Sequence, residues 1–422
     1  MAENIIFYGP PGTGKTYFMQ RQIEKYTDYE IEDNDIKSAY TLKSDDWLLI
    51  TLVILQNNNP MSSPEIVNKI NTLSLGHTRT VSDFLEEHSK SESTIGLTRK
   101  QPRIFFETAG KWFVDRLSLL EFDPNFLINY IQKQKIEKRY DFVTFHQSFS
   151  YEDFIEGVRP SIDPVTNLLN YNPQDGVFKR ICERARNNPS KQYAIFIDEI
   201  NRGNISEVFG ELISLIELDK REGQYCELEA VLPYSKSKFT VPNNLNVIGT
   251  MNSADKSIAN IDVALRRRFD FIVFPCDYKE LEKALSLKGF NPNNVDGIDV
   301  IKLLKVINKR IELLLDTNYI IGHAFFMKVE SWTDVKAVIQ KKIFPLLEEY
   351  FFDDLQKIQV VFNDIDETGE LVSNPIYSHE ELEVDSLLTY VGDYVIESKR
   401  VYSLDVHFNR DAIVKIYDGV TL

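Results

Sequence analysis

Short apolar runs alternate with helix-like patterns over much of the chain, which is typical of an α/β fold. Five of these runs predict buried strands: residues 4–8, 142–145, 192–197, 244–250 and 271–274. Helices are predicted over residues 17–26 after the first run and, from its amphipathic pattern, over residues 205–217 after the third. The pattern therefore predicts an α/β core whose strands are widely separated along the chain.

Residues 28–139 interrupt this pattern and predict an inserted domain. Helices are predicted over residues 45–55 with Asp45 or Ser44 as the cap, from Pro64 onward with Ser63 as the N-cap, and over residues 80–88. Residues 104–107 and 110–114 then predict a two-stranded hairpin. Three short helices and a hairpin are typical of a winged helix-turn-helix domain, which binds either DNA or protein, since a fold alone does not fix function.

The charge distribution is compatible with DNA binding by this insert. The 422-residue chain carries a net charge of −16, which argues against non-specific nucleic-acid binding by the whole surface. Between residues 41 and 116, however, nine Lys and Arg balance nine Asp and Glu. Three basic residues cluster at the predicted wing tip, where they are suited to phosphate contacts: Arg99, Lys100 and Arg103.

Composition otherwise indicates a soluble protein of the cytoplasm. Hydrophobic residues make up 43% of the chain, and no apolar run approaches the length of a membrane span. The N-terminus lacks the pattern of a secretory signal, and three distant cysteines favour reduced thiols over disulfides or a metal site. We therefore expect a cytoplasmic protein without a membrane partner.

The stretch GPPGTGKT after the first predicted strand matches the P-loop pattern G-x-x-x-x-G-K-[ST]. In this motif backbone N–H groups and a helix N-terminus face the phosphates of a nucleotide. The lysine reaches the β- and γ-phosphates, and the hydroxyl of the last residue binds Mg²⁺. The predicted nucleotide contacts are Gly9, Pro10, Pro11, Gly12, Thr13, Gly14, Lys15 and Thr16.

A second acidic motif, of the Walker B type, follows the third predicted strand. The apolar run 192–197 ends in Asp198 and Glu199. With Thr16, Asp198 is expected to bind Mg²⁺, and Glu199 is expected to act as the general base that activates water. An apolar run before Asp-Glu is weak evidence for a Walker B motif on its own, but the evidence is strong when a complete P-loop belongs to the same sheet.

Two further polar segments flank the last two predicted strands. Asn252 follows the run 244–250, so it is expected at a strand tip between the two motifs, where it can orient water or contact the γ-phosphate. Arg266, Arg267 and Arg268 precede the final strand, and buried arginines are costly unless they meet anions. Arg266 and Arg267 are our candidates for arginine fingers that complete the active site of a neighbouring subunit.

These stretches together resemble the AAA+ GTPase motors of McrBC-type modification-dependent restriction systems. The resemblance covers residues 1–27 and 140–354 and depends on five segments: FHQSFSYEDF at 145–154, DEINR at 198–202, GTMNSAD at 249–255, ALRRRF at 264–269 and residues 346–354. It implies an α/β fold with an AAA+ P-loop NTPase core, a helical lid, a winged-helix-like insert and a small β-containing C-terminal appendage. The implied divisions are 1–27 (core), 28–139 (insert), 140–275 (core), 276–354 (lid) and 355–422 (appendage).

The same resemblance implies cofactors and partners. It implies GTP with Mg²⁺, a hexameric ring, an endonuclease partner of the McrC type that cuts double-stranded DNA, and active-site roles for Asn201 and Arg202. Two departures stand out. The DNA-reading domain usual at the N-terminus of the family is not found before the P-loop, and Lys256 stands where the family commonly has arginine. Lysine keeps the charge but loses the planar fork of arginine.

The sequence therefore predicts a GTP-hydrolysing AAA+ motor that recognises DNA and drives a partner nuclease in restriction or phage defence. Two alternatives remain open from the residues themselves. One is an ATP-dependent AAA+ protein remodeller resembling the MoxR group, with the insert as a protein adaptor. The other is a nucleotide-dependent DNA-binding scaffold that hydrolyses slowly. The residues alone do not distinguish guanine from adenine.

Overall fold

The chain is seen in a computed structural model, which describes residues 2–75, 80–89, 100–123, 125–131, 136–162, 169–255, 263–382 and 399–421. Arg99 and Lys256 lie outside the described residues. No helix within these ranges is both long and apolar enough to cross a membrane.

The strands and helices are numbered here in chain order. The strands are β1 (Asn4–Gly9), β2 (Thr27–Tyr29), β3 (Phe105–Thr108), β4 (Lys111–Val114), β5 (Ile136–Lys138), β6 (Tyr140–Thr144), β7 (Glu156–Ile162), β8 (Leu169–Asp175), β9 (Tyr193–Asp198), β10 (Ala230–Val231), β11 (Lys238–Phe239), β12 (Leu245–Asn252), β13 (Asp270–Val273), β14 (Tyr377–Leu382) and β15 (Lys399–Leu404). The α-helices are α1 (Lys15–Ile23), α2 (Asp33–Lys43), α3 (Asp46–Asn57), α4 (Ser63–Thr72), α5 (Val81–Glu87), α6 (Arg116–Phe122), α7 (Phe126–Tyr130), α8 (Tyr151–Phe154), α9 (Val177–Asn187), α10 (Ile205–Phe209), α11 (Leu212–Leu215), α12 (Val263–Arg266), α13 (Tyr278–Leu287), α14 (Val300–Leu314), α15 (Trp332–Val338), α16 (Phe344–Tyr350), α17 (Gln356–Phe362) and α18 (Arg410–Tyr417).

A five-stranded parallel sheet with the order β13-β1-β12-β9-β6 forms the centre of the core. Its inner strands are buried because helices cover both faces, which explains why they read as continuous apolar runs. The register pairs Gly9 with Asn252 and Thr144 with Asp198. The P-loop, the acidic pair and Asn252 therefore meet at the carboxyl edge of the sheet, where α/β proteins bind ligands. The predicted α/β class is confirmed.

The insert is joined to the core by a two-stranded stem and has its own hydrophobic core. β2 pairs antiparallel with β5 and closes the segment between them. Helices α2 to α5, the β3–β4 hairpin, α6 and α7 follow, and Met61 between α3 and α4 pairs with Trp112 of the hairpin. The apolar stripe of α3 is buried almost completely in this core. The segment thus contains enough buried apolar surface to be a compact unit.

Helix ends in the insert follow local signals. α3 ends at Asn57, and the next residue, Asn58, adopts the left-handed conformation that often stops a helix. α4 begins one residue earlier than its sequence pattern predicts, because Ser62 rather than Ser63 is the capping residue. Ser62 and Glu65 complete a capping box around the first turn.

Arginines connect the insert to the P-loop helix. Arg116 donates to the carbonyls of Glu24 and Thr27 at 2.9 and 2.7 Å, just beyond the end of α1. Arg139, beside the stem, makes a buried two-pronged ion pair with Asp28 and also donates to the Lys25 carbonyl of the core at 2.9 Å. Both contacts are charge-assisted and geometrically specific, so the insert is fixed to the core rather than loosely tethered.

The described C-terminal residues from 355 onward, predicted as a small β-containing appendage, pack against the lid. Helix α18 and strand β14 share one hydrophobic core with α14, α16 and α17. Buried side chains of this core come from both sides of the expected division, and Ile413 and Ile416 are completely buried. The sequence pattern showed the apolar positions of this region but not the surface that covers them.

A second correction concerns the predicted helix from Ile205 to Glu217. The structure has two short helices there, α10 and α11, with Gly210 between them at a φ of 51°. A methyl group on Gly210 would lie 3.0 Å from the ring of Tyr151. The chain turns at this glycine, and Glu217 consequently lies beyond the end of α11.

Candidate functional site

The P-loop connects β1 to α1 in the geometry that the motif requires. Gly12 and Gly14 have φ angles of 74° and 84°, which non-glycine residues rarely adopt. A methyl group on Gly12 would also lie 2.3 Å from the ring of Phe325 in the lid. Helix α1 begins at Lys15, so its first N–H groups face the loop as an anion-binding end.

Lys15 is buried and bonded to the loop itself. Its ammonium group donates to the carbonyl oxygens of Gly9 and Pro10, both at 2.7 Å, and lies 3.4 Å from the hydroxyl of Thr13. Burial lowers the pKa of Lys15 to about 8, while the negative charges of Glu199 and Asp198 oppose this shift. The loop is therefore already shaped around a cation at the place where phosphates are expected.

Asp198 and two hydroxyl groups form a cluster of oxygen atoms at the carboxyl edge. Thr16 Oγ1 lies 3.4 Å from Asp198 Oδ1, and the Thr250 hydroxyl donates to the same carboxylate oxygen. Carboxylate and hydroxyl oxygens are the ligands that Mg²⁺ prefers. The sequence predicted Thr16 and Asp198 but missed Thr250, because only the register of β12 beside β9 brings it to the site.

Glu199 is held by its backbone at the end of β9. It has a φ of 53°, and its N–H group donates to Thr250 Oγ1 at 3.2 Å. Burial raises the pKa of the Glu199 carboxyl, while Arg202, with its Nε 3.6 Å from Glu199 Oε2, opposes the shift. A carboxylate with raised proton affinity is better matched to general-base catalysis near neutral pH.

The two residues after Ile200 connect the acidic pair to the tip of β12. Asn201 donates from Nδ2 to the Asn252 carbonyl at 3.2 Å, and Asn252 Oδ1 accepts from the N–H of Ala254 at the same distance. Arg202 forms an ion pair with Asp255 at 3.0 Å. Asn201, Arg202 and Asn252 are therefore brought together with Glu199. Asp255 was not among the predicted site residues, although it lies in the unusual stretch that ends at 255.

A pH measurement tests this arrangement. Arg202→Ala removes a positive charge beside Glu199, so the pKa of Glu199 should rise further. A general base acts only when ionised, so with Glu199 in that predicted role the acid limb of the pH profile of kcat should move to higher pH in the variant. Lys191→Ala removes a cation at the opposite edge of the sheet, where it pairs with Asp28, and should leave the limb in place. An acid limb that does not move, or that moves to lower pH, would contradict the assignment of Glu199 as base.

A turn of the lid rests directly on the P-loop. The N–H groups of Gly322 and Ala324 donate to the carbonyl oxygens of Pro11 and Gly12, both at 2.9 Å. A methyl group on Gly322 would lie 2.0 Å from the carbonyl carbon of Gly12, so only glycine permits this approach. No sequence motif connects this segment with the nucleotide site.

The three arginines before β13 differ in their surroundings. Arg268 is almost completely buried and lies 2.9 Å from Glu217. Arg266 and Arg267 are exposed, and the side chain of Arg267 is 66% accessible. All three lie at the amino edge of the sheet, because β13 runs parallel to β1 and Asp270 pairs with Ile5. They therefore lie at the opposite edge from the P-loop of their own chain.

The predicted DNA contacts of the insert are described only in part. Lys100 forms an ion pair with Glu87 at 2.9 Å, and Arg103 is half-buried. The prediction that they lie at the wing tip is wrong, because the hairpin turns at Ala109 and Gly110 and both residues precede β3 at its open end. The exposed ammonium group of Lys100 remains available to a phosphate, since a surface ion pair is worth little.

Comparisons with known proteins agree with the fold. Residues 127–269 match the AAA domain family (dynein-related subfamily), and residues 299–359 match the family of McrB α-helical lid domains. The chain is 39% identical over 240 residues to the "Type IV methyl-directed restriction enzyme EcoKMcrB subunit" of Escherichia coli (strain K12), an alignment that covers 54% of this chain and 50% of that protein. It is 28% identical over 218 residues to the "Type II restriction enzyme BsuMI component YdiS" of Bacillus subtilis (strain 168), which covers 48% of this chain and 61% of that protein. The chain thus spans only 50% and 61% of the lengths of these two relatives.

The parallel sheet, the P-loop and the acidic pair define a P-loop NTPase of the AAA class. A McrB-type helical lid follows the AAA domain. The chain is therefore a McrB-like AAA+ protein, as its motifs predicted.

Proposed function

We propose that this chain is the GTP-hydrolysing AAA+ motor subunit of a McrBC-like DNA restriction or phage-defence complex. The observation that carries the proposal is the convergence of the P-loop, Asp198, Glu199 and Asn252 at one edge of the sheet. Hydrogen bonds from Glu199 to Thr250 and from Asn201 to Asn252 join the ends of β9 and β12 there. The names of the two relatives support a role in restriction, because both are described as components of restriction enzymes.

The residues at the phosphate end fit a nucleotide with Mg²⁺. Gly12 and Gly14 open the loop, and Lys15 exchanges its bonds to loop carbonyls for bonds to the β- and γ-phosphates. Thr16 and Asp198 supply oxygen atoms on the side of the loop that faces β9. Bound Mg²⁺ would neutralise charge on the β- and γ-phosphate oxygens.

The chemical step is water attack on the γ-phosphate. Glu199 accepts the proton of the attacking water, and its raised pKa brings this acceptor closer to neutral pH. Asn252 lies between the P-loop strand and the acidic strand, in a position to orient that water. Asn201 and Arg202 hold the tip of β12 and the Glu199 carboxylate in place through the contacts described above.

A ring, with six subunits as the family resemblance implies, would complete the site between neighbours. Arg266 and Arg267 are exposed at the amino edge of the sheet, while their own P-loop follows Gly9 at the carboxyl edge. From Ile5 to Gly9 the strand alone spans about 13 Å. These arginines therefore serve a neighbouring subunit, in a heterologous interface that closes into a ring.

The insert is proposed to be a winged-helix domain that contacts double-stranded DNA. Its helices α3, α4 and α5 are followed by the β3–β4 hairpin, and Met61 adds a third, single-bridge strand beside Trp112. Lys100 lies just before this hairpin, in the region where Arg99 and Arg103 complete the predicted basic cluster.

Salt dependence tests the DNA contact. The full chain should bind a DNA duplex with an affinity that falls steeply as salt rises, because phosphate contacts release counterions. Lys100→Ala combined with Arg103→Ala should reduce the slope of log K against log salt by about two, roughly one per lost contact. Lys341→Ala with Lys342→Ala removes the same charge from the exposed face of the lid and should keep the slope. Equal slopes for both pairs would assign DNA binding to another surface.

The choice of nucleotide is tested by hydrolysis of GTP and ATP side by side under saturating conditions. We expect GTP to be preferred, and addition of a McrC-type endonuclease to stimulate turnover and to supply DNA cleavage. A preference for ATP would leave the AAA+ fold in place and favour a protein remodeller instead. Nucleotide binding with negligible turnover of either nucleotide would favour a DNA-binding scaffold.

A further inference from the structure

We propose that Glu217 is a positioning residue that orients Arg267 toward the active site of the neighbouring subunit. The inference rests on the proposed function, since Arg267 is assigned there to a neighbour's site. It adds a residue on a separate segment, about fifty positions before the arginines, that sequence motifs do not mark. Glu217 follows α11 and lies beneath the arginines at the amino edge of the sheet.

The carboxylate of Glu217 receives three cations. Its Oε1 lies 2.9 Å from Arg268 Nε and 3.6 Å from Arg267 Nε, and its Oε2 forms an ion pair with Lys220. The Glu217 side chain is only 16% exposed, so these interactions are less screened than those of a surface carboxylate. A single largely buried negative charge therefore organises the base of the arginine cluster.

The two arginines on this carboxylate differ in what they can reach. The side chain of Arg268 is 3% exposed and also contacts Ser214 Oγ at 3.3 Å, so it is fixed within the fold. The side chain of Arg267 is 66% exposed and makes the longer contact to Glu217. Arg268 thus acts as the anchor, while Arg267 is held near its Nε and leaves the end of its guanidinium free to meet an anion outside the chain.

Buried hydrogen bonds cross-link the backbone beneath this cluster. Buried Asn4 donates to the carbonyl oxygens of Ile216 and Arg268 at 2.8 and 3.0 Å. Completely buried Arg221 donates to Asn4 Oδ1 and to the carbonyl of Ile216. The segments that carry Glu217 and Arg268 are therefore joined through the first residue of β1, the strand that ends in the P-loop. Such support is what a precisely oriented arginine needs.

Electrostatics explains why a carboxylate is needed at this place. Arg266, Arg267 and Arg268 are adjacent, so their positive charges repel one another, and a planar guanidinium must be aligned to make two-pronged contacts with a phosphate. Glu217 offsets this repulsion from one side and fixes which way Arg267 extends. Without its charge, Arg267 would sample many orientations and would meet the neighbour's nucleotide in few of them.

The test is turnover by assembled full-length protein, with Glu217→Gln compared with Glu222→Gln. Glutamine keeps the size and an acceptor oxygen of Glu217 but removes the charge. We expect Glu217→Gln to lower kcat about 10- to 100-fold, as expected for a misplaced catalytic group, with nucleotide affinity unchanged. Glu222 pairs with Arg186 on the same side of the fold, and Glu222→Gln should retain turnover within about twofold, because surface pairs contribute little. Glu217→Asp keeps the charge and should recover part of the loss.

Mixing experiments separate a positioning role from a structural one. Glu217→Gln keeps its own base, and Glu199→Gln keeps its own arginine, so mixed rings contain interfaces with both groups intact. About a quarter of the interfaces in a random ring are of this kind, and activity should rise toward that fraction of wild type. Arg267→Ala mixed with Glu199→Gln is the reference.

The outcomes distinguish this inference from the proposed function. Rescue of both Arg267→Ala and Glu217→Gln supports both assignments. Rescue of Arg267→Ala alone, wild-type turnover by Glu217→Gln, or loss of its nucleotide binding would overturn the positioning role of Glu217 while leaving the finger in place. Failure to rescue Arg267→Ala would overturn the assignment of the finger itself.

Discussion

Glu199→Gln is expected to bind nucleotide and to assemble normally, yet to hydrolyse GTP about 10³-fold more slowly than wild type. Glutamine has the shape of glutamate but cannot take a proton from water. The backbone support of residue 199 remains intact, because its N–H group and not its side chain contacts Thr250. The loss should therefore appear in kcat, with little change in the affinity for nucleotide.

The measurement pairs steady-state hydrolysis with binding of a fluorescent nucleotide. Glu183→Gln provides a matched control, since Glu183 is an exposed carboxylate on α9, away from the carboxyl edge of the sheet. It should keep both binding and turnover. Wild-type turnover by Glu199→Gln would show that another group activates water. Loss of binding would show that the carboxylate serves the nucleotide itself.

The core of the site could be predicted because its signals are local. The P-loop needs its glycines and lysine within eight consecutive residues, and the acidic pair directly follows a buried strand. Once the strands that precede both motifs belong to one parallel sheet, the carboxyl ends of these strands must lie at the same edge. The matches of residues 127–269 to an AAA family and of residues 299–359 to the McrB-lid family confirm the fold class, and the parallel sheet brings the P-loop to the same edge as the acidic pair.

The supporting contacts could not be predicted, because they depend on register and on long-range packing. Thr250 reaches Asp198 only because β12 lies beside β9 in one register, and a shift by one residue would turn it to the other face. The contact of Gly322 with Pro11 joins segments about 310 positions apart. A single glycine in a turn gives no signal of such an approach.

The packing of the predicted appendage after residue 354 could not be foreseen for a related reason. Apolar periodicity shows that Ile413 and Ile416 lie on one buried face of a helix, but not which surface covers that face. The structure places that face on the lid core, so this segment stabilises the domain that contacts the P-loop. The lid core, which includes α18, is thus connected to the P-loop through Gly322.

Arg267→Ala is expected to reduce turnover by the assembled protein about 10³-fold or more, which is the contribution typical of an arginine finger. Nucleotide binding by single subunits should remain, because Arg267 lies at the amino edge of its own sheet and the P-loop lies at the carboxyl edge. Arg267→Lys should recover only a small part of the activity, since lysine restores the charge but not the two-pronged geometry.

Parallel variants of the neighbouring arginines show which of them acts in trans. Arg266→Ala tests the second exposed candidate, and the arginine that contacts the neighbour's phosphates should give the larger loss in kcat. Arg268→Ala should instead destabilise the fold, because it removes a buried guanidinium and leaves Glu217 without its most buried partner. The midpoint temperature of thermal unfolding should therefore be lowered by Arg268→Ala and unchanged by Arg267→Ala. Normal turnover by both Arg266→Ala and Arg267→Ala would exclude either as a finger, and the neighbour's transition-state charge would then have to be met by another group.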